Sequence, residues 1–320
     1  MTKLYPEFIA LPWTVHLEPV CGCNLKCDWC PVCLDKKLQS ANNWKFMSTE
    51  LLFKFCSQFL AMRENYAPHA DFGWPRVEIA MRGEPLLHPK ILDWLQVLRD
   101  GLPRCQVTMF SNGIALLKNP SLLNQLYGAG LNILQVDCYN RSIGKFRKQL
   151  YKAADSSVEK VDPANFSPYR KHPGGHKRKI LSLLVGIEDQ EKSINVRLLD
   201  NMGGWSSPEN LKKYGWKLRG ELPLAGKRCV RPFREFVLWY DGLVDVCCVD
   251  WYPSKAMTLG SLQEKTVEEV WYGARHLNVL RGLYRGRRGW GLCETCDYFG
   301  GYRPGFLKNP FTGDDPLRRD

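Results

Sequence analysis

Apolar and polar positions alternate in short runs, separated by stretches with helical apolar spacing. Trp13–Val20 alternates as a strand. Ser48 is a suitable helix N-cap, and Thr49–Glu64 follows with helical spacing. Val77–Met81, Gln106–Phe110, Ile133–Cys138, Ile180–Ile187 and Ile194–Leu199 read as further strands. Pro89–Arg99, Ser121–Gly128 and Ile143–Ala154 read as helices between them. Such alternation predicts parallel strands with right-handed crossovers. The expected fold class is therefore α/β: a partial (β/α)6 TIM-like barrel of roughly six units over residues 1–205, with any site at the C-terminal strand ends. Residues 206–228 are expected to be a linker, and 229–320 a small second unit and tail. In that unit Glu235–Tyr240, Asp241-Gly242 and Leu243–Cys247 read as a β-hairpin, followed by a helix from Thr266 to about Leu283. Asp155–Lys179, with Pro163, Pro168, Pro173 and Gly174-Gly175, reads as a long loop of the kind that serves as a lid.

Composition narrows the class. The 320 residues are 44% hydrophobic and 24% charged, which excludes a disordered chain. No apolar run reaches the roughly 18 residues needed to cross a bilayer, and no secretory signal is visible. No membrane partner is expected, and the expected location is the cytoplasm (a host's cytoplasm if the source is viral). Thirteen cysteines, an odd count without an export signal, argue against a disulfide framework and for metal binding.

Cys23, Cys27 and Cys30 form a C-x3-C-x2-C set just after the first strand. Three thiolates on one short loop can hold three irons of a 4Fe–4S cluster and leave the fourth iron open. A zinc knuckle using Cys27, Cys30 and Cys33 is the alternative use of this loop. The loop resembles that of the radical S-adenosylmethionine (SAM) superfamily, in which the open iron takes the amino and carboxylate groups of SAM. The resemblance implies one-electron cleavage of SAM to a 5′-deoxyadenosyl radical, with an electron donor of flavodoxin or ferredoxin type. Trp29 stands where that family often places an aromatic; Cys21 and Cys33 fall outside the pattern.

Further strand ends fit the same family. Met81-Arg82-Gly83-Glu84-Pro85 resembles its GGEP motif, with Arg82 replacing the first glycine. There Gly83 lets backbone approach the ligand, and Glu84 accepts from the SAM ammonium. Ser111-Asn112-Gly113 resembles the segment near the SAM ribose, and Asp137 ends the fourth strand, where a polar residue faces cofactor or substrate. Taken singly these triplets are also ordinary βα-loop sequences; their order on successive strand ends carries the match.

Cys229, Cys247, Cys293 and Cys296 supply four more thiolates, on the hairpin and a C-x2-C loop. This set resembles the twitch domain, the shortened form of the SPASM extension of radical SAM enzymes. It implies a second, auxiliary 4Fe–4S cluster ligated entirely by protein; a zinc ribbon suits the same four residues. Cys247 is preferred to Cys248 because it completes G-x4-C from Gly242. Asp250 and Asp245, beside Cys247, are candidate proton acceptors. Cys56, Cys105 and Cys138 read as core residues, and Trp239 and Tyr240 as hairpin packing.

The formal charge is +12, from 45 Lys+Arg against 33 Asp+Glu. Residues 141–179 contribute +8 and residues 275–288 contribute +5. Positive charge this concentrated suits a polyanion, and Arg285-Gly-Arg-Arg-Gly-Trp290 has the makings of a grip on backbone and base; a solvated basic face reads equally well. Three substrate classes compete. One is a nucleic-acid base, as in the radical SAM isomerases that act on amino-acid-substituted thymidine in bacteriophage DNA hypermodification. A second is a ribosomally made peptide, although the loop at residue 21 leaves no room for a leader-binding domain. The third is a small aminocyclitol or sugar, as for twitch dehydrogenases. DNA is the expected partner.

Overall fold

A computed structural model describes residues 11–27, 30, 32, 40–67, 73–137, 143–162, 166–167, 171–184, 198–199, 206–212, 217–218, 229, 231–251 and 257–297. Its centre is β1 (Thr14–Leu17), which enters the cysteine loop. Two short strands, β2 (Val20–Cys21) and β3 (Lys45–Phe46), pair antiparallel around that loop. Helix α1 (Thr49–Tyr66) starts at Ser48, whose side chain accepts from the Leu51 N–H as a cap should. There follow β4 (Arg76–Ile79), α2 (Ile91–Gly101), β5 (Gln106–Ser111), α3 (Ile114–Lys118), α4 (Leu122–Gly128), β6 (Ile133–Asp137), α5 (Ile143–Ala153), β7 (Glu159–Val161) and β8 (Ile180–Leu184). Strands β9 (Leu198–Leu199) and β10 (Lys217–Leu218) form a separate parallel pair. The second unit adds β11 (Glu235–Leu238), β12 (Leu243–Asp245) and β13 (Thr258–Ser261).

The main sheet runs β13-β12-β11-β1-β4-β5-β6-β8-β7; every pairing from β11 to β7 is parallel, and β11-β12 and β12-β13 are antiparallel. The fold is the expected one, a large mostly parallel α/β sheet. The expected sixth strand is different: Leu198–Leu199 pairs outside this sheet, and Glu159–Val161 takes the edge beside β8. Because β11 pairs parallel with β1, the second unit continues the barrel sheet.

Strand alternation gives the sheet two unlike faces. Val15, Leu17, Val77, Ile79, Val107 and Met109 join the core with α1 and α2, through Phe55, Phe59, Trp94 and Leu98. His16, Glu78, Thr108, Gln135 and Ser182 alternate with that face and are buried too. A buried polar face is costly unless its groups find partners. Here Thr108 Oγ1, Gln135 Oε1 and Ser182 Oγ have none among the described residues.

Residues 171–178 are not a lid over the strand ends. The Lys171 ammonium donates to the Trp74 carbonyl at 2.6 Å, the His172 N–H to Gln106 at 2.8 Å, and Asn132 to the His176 carbonyl at 2.9 Å. Trp74, Gln106 and Asn132 precede or open β4, β5 and β6, so this segment closes the N-terminal end of the sheet. The expected helix from Thr266 is two, Val267–Trp271 and Ala274–Arg285, divided at Gly273, which caps the second. Among the described residues no helix is long and apolar enough to cross a membrane.

Candidate functional site

The loop after β1 is stitched to the loop after β4. The Gly22 N–H donates to the Arg82 carbonyl at 3.0 Å, and the Glu84 N–H to the Gly22 carbonyl at 3.1 Å. A Cβ at Gly83 would run into the Val20 and Gly22 carbonyl oxygens, so only glycine permits this approach. Met81 is held in the left-handed region at φ 88° to make the turn.

Glu84 is the centre of this end. Its carboxylate accepts from Ser111 Oγ at 2.7 Å, from the Asn112 N–H at 2.7 Å and from the Leu86 N–H at 3.1 Å. Burial pushes its pKa up to about 7, although those donors pull the other way; nearby Asp137 adds to the rise. A carboxylate has about four acceptor positions, so one remains for a cation. Asn112 also reaches the cysteine loop, donating to Asn24 Oδ1 at 2.9 Å with Cys23 Sγ at 3.9 Å. Asp137 is buried and accepts from Gln135 at 3.3 Å. Thus Cys23, Gly83, Glu84, Ser111, Asn112 and Asp137 meet at one end of the sheet. Cys27 is buried and its carbonyl accepts from the Cys30 N–H at 2.9 Å; Cys23 and Cys30 are half-buried. Trp29, Cys33 and Cys138 lie outside the described residues.

The replacement of the family's first glycine by arginine has a structural use that local sequence could not reveal. Arg82 forms a two-pronged ion pair with fully buried Glu18, at 2.8 Å on both arms. It also donates to the Trp251 carbonyl at 3.1 Å and lies over the Trp239 ring, 4.1 Å from its centroid. Glu18 accepts from the Tyr240 N–H at 3.3 Å. The motif-bearing loop is thereby tied to the second unit's hairpin. Trp239 in turn donates to Asp245 at 2.6 Å, and burial lifts the Asp245 pKa to about 7.

Cys229, Cys247, Cys293 and Cys296 line one cavity, with Arg231, Arg287 and apolar walls from Pro232, Val249, Met257, Leu283 and Leu292. Burial raises the Cys229 thiol to about 12 and Cys293 still higher, and the crowding of thiols adds to both. Four sulfurs without a carboxylate or imidazole among the cavity's lining form a donor set suited to iron–sulfur or zinc. Cys248 does not line the cavity; its sulfur accepts from Arg231 at 2.6 Å. Asp250 is buried beside Cys247, its N–H donating to the Cys247 carbonyl at 3.3 Å.

Behind the cavity His16 lies between Glu78 and Glu235, at 3.3 Å from each. Burial alone would lower its pKa; the two carboxylates lift it to about 9. Burial would raise Glu78, but Arg76 and His16 hold it down at about 2. Ligand atoms of His16, Glu235 and Cys248 fall within 4.8 Å of one another, yet Arg231 at Glu235 and Cys248 makes this an ion-pair network.

The basic segment at 285–290 folds differently from its expected use. Arg287 is 3% exposed and donates to the Cys296 carbonyl at 2.9 Å. Trp290 packs on Gly282, where a Cβ would meet its ring. Neither is free to grip a nucleic acid. Within the +8 segment, Lys171 and Arg178 lie at the far end of the sheet from Glu84.

Comparison with known proteins agrees with this architecture. Residues 229–297 match the SPASM iron-sulfur cluster-binding domain. The fold is similar to that of BtrN in complex with AdoMet and 2-DOIA, with a TM-score of 0.62 and 20% identity, covering 91% of this chain and 95% of that one. It is also similar to BtrN in an open conformation, with a TM-score of 0.54 and 17% identity over 90% and 92% of the two chains. An uncharacterized Methanocaldococcus jannaschii protein, MJ0103, is 27% identical over 179 residues; the match spans 55% of this chain and only 39% of that protein. The matched domain at 229–297 and the similar fold agree with the resemblance that the cysteine loop carries, to radical SAM enzymes with a C-terminal SPASM domain.

Proposed function

We propose that the chain cleaves SAM reductively and uses the product to oxidise a small polar substrate at carbon. Cys23, Cys27 and Cys30 hold the SAM-binding 4Fe–4S cluster, and Cys229, Cys247, Cys293 and Cys296 hold the auxiliary one. When bound, the first cluster and SAM supply a 5′-deoxyadenosyl radical that takes a hydrogen atom. Glu84 receives the SAM ammonium, its carboxylate oriented by Ser111 and Asn112. Gly83 admits the ligand to the backbone, and Trp29, next to Cys30 in sequence, is the candidate aromatic for the cofactor. Asp137 and Asp250 are the candidate proton acceptors. The electron comes from a donor of flavodoxin or ferredoxin type. One observation carries the reading: Asn112 joins the Glu84 carboxylate to the cysteine loop through its N–H and its side-chain amide. The buried polar face with unpartnered Thr108, Gln135 and Ser182 atoms favours a compact, hydrogen-bonding substrate such as a sugar or aminocyclitol.

Anaerobic reconstitution tests this. The expected result is about eight irons per chain and reductant-dependent 5′-deoxyadenosine. The same product from a chain with alanine at Cys23, Cys27 and Cys30 overturns it.

A second reading, isomerisation of a modified base in DNA, keeps one supporting feature: Arg281, Arg285 and Arg288 remain exposed near the end of one helix. It requires steeply salt-dependent DNA binding.

A further inference from the structure

Two arginines face the cavity that the four cysteines line. Arg287 follows a helix, is 3% exposed, and is anchored on the Cys296 carbonyl. Arg231 lies two residues after Cys229, its side chain 13% exposed, 3.6 Å from Glu235 and bonded to Cys248. The rest of the lining beyond the cysteines is apolar. Guanidinium groups keep their charge at any working pH, and an apolar surround screens that charge poorly.

We infer that Arg287 and Arg231 are positioning residues for the auxiliary cluster that hold its reduction potential up. The inference rests on the cluster assignment above and goes beyond it. A cluster with four thiolates is anionic and gains a further negative charge on reduction, so fixed positive charge at its wall favours the reduced form. Arg287 is the stronger of the two, because Arg231 shares its charge with Glu235. A site biased in this way takes electrons more readily than it gives them. That suits a net oxidation of substrate, with the electron leaving through the second unit, better than a redox-neutral rearrangement.

The test is an EPR-monitored redox titration of the reconstituted full chain carrying alanine at Cys23, Cys27 and Cys30, so that only the auxiliary cluster is read. Arg287→Gln is expected to change the oxidised-to-reduced ratio at a given ambient potential at least tenfold toward oxidised, about 59 mV for a one-electron couple. Arg287→Lys keeps the charge and is expected to stay near the parent value. Arg231→Gln shifts less than Arg287→Gln, and exposed Arg285→Gln not at all. A ratio within about threefold of the parent for Arg287→Gln overturns the inference, as does an Arg287→Lys shift as large as that of Arg287→Gln. If the glutamine variants take up no iron while the lysine variants do, the need for positive charge stands; failure of both kinds makes the role structural and overturns it. A parent chain that binds no iron sinks the cluster assignment itself, whereas about four irons with an unmoved potential sink only this inference.

Discussion

The two cysteine sites are built in opposite ways. The first closes within eight residues of chain, Cys23 to Cys30, on a loop whose outer cysteines stay half-buried. The second gathers Cys229, Cys247, Cys293 and Cys296 from a loop, a hairpin and a terminal turn around an apolar cavity. A local ligand set leaves one side open to a second molecule. A dispersed set surrounds what it holds and depends on the whole unit being folded. The difference matches the proposed roles, one site meeting SAM and the other only electrons.

The largest expected effect separates these roles. Alanine at Cys23, Cys27 and Cys30 should abolish 5′-deoxyadenosine formation and leave about four irons. Alanine at Cys229, Cys247, Cys293 and Cys296 should also leave about four irons, but with 5′-deoxyadenosine still formed when reductant is supplied. Iron content and product assay on the two variants decide the matter. Loss of product in both would mean that the second site holds the first together.

That outcome depends on the bridge between them. Arg82 and Glu18 form a buried pair, with 10% and 0% of their side chains exposed. Removing one partner of such a pair costs about 3–5 kcal/mol, because the other charge is left buried alone. Arg82→Met is expected to destabilise by that amount in chemical denaturation. The double variant Arg82→Met with Glu18→Leu should recover most of it. If Arg82→Met costs under about 1 kcal/mol, the pair does not join the two regions.

What the sequence could and could not disclose follows from separation along the chain. The strand positions, the Ser48 cap and both cysteine sets are written in local spacing. All of β1, β4, β5, β6 and β8 lie where the apolar alternation puts them. The Arg82–Glu18 pair spans 64 residues and Arg287 reaches a cavity built from segments up to 58 residues away, so neither leaves a local pattern. Arg287 looks in sequence like its exposed neighbours Arg285 and Arg288, and only the direction of the chain past Gly286 turns it inward. Gly273, by contrast, was a visible signal of the helix break. The long loop misled for a related reason: its prolines and glycines mark a loop but not which end of the sheet it covers.

The pH response sharpens the open site. Glu84 is pushed from the ordinary 4.5 up to about 7 by burial. An ammonium requires the ionised form, so SAM affinity should be nearly full at about pH 8 and roughly tenfold weaker at about pH 6. The Glu84→Gln variant should bind weakly with a flat profile. The sign reverses for the empty protein. A raised carboxyl pKa contributes stability below 4.5 that is lost as pH rises through about 7. Calorimetric SAM titration against pH reads the first effect, and denaturation of the apoprotein the second. An affinity that is level from about pH 8 to 6 would remove Glu84 from the ammonium site.

The smallest effect asks whether the two regions are one cooperative unit. Thr266 caps the helix Val267–Trp271 in a reciprocal arrangement with Glu269, and Ser48 caps α1. Each cap lost to alanine should cost about 1 kcal/mol. The two helices are joined by bonds from the Val267 N–H to Gln58 at 3.1 Å and from Tyr66 to Glu268 at 2.5 Å, and β11 lies in the same sheet as β1. A shared sheet and these cross-links make Thr266→Ala and Ser48→Ala lower a single unfolding transition by similar amounts. If Thr266→Ala instead produces an early transition of its own, the dispersed site stands on a separately melting unit, and its closure around the cluster owes nothing to the barrel beside it.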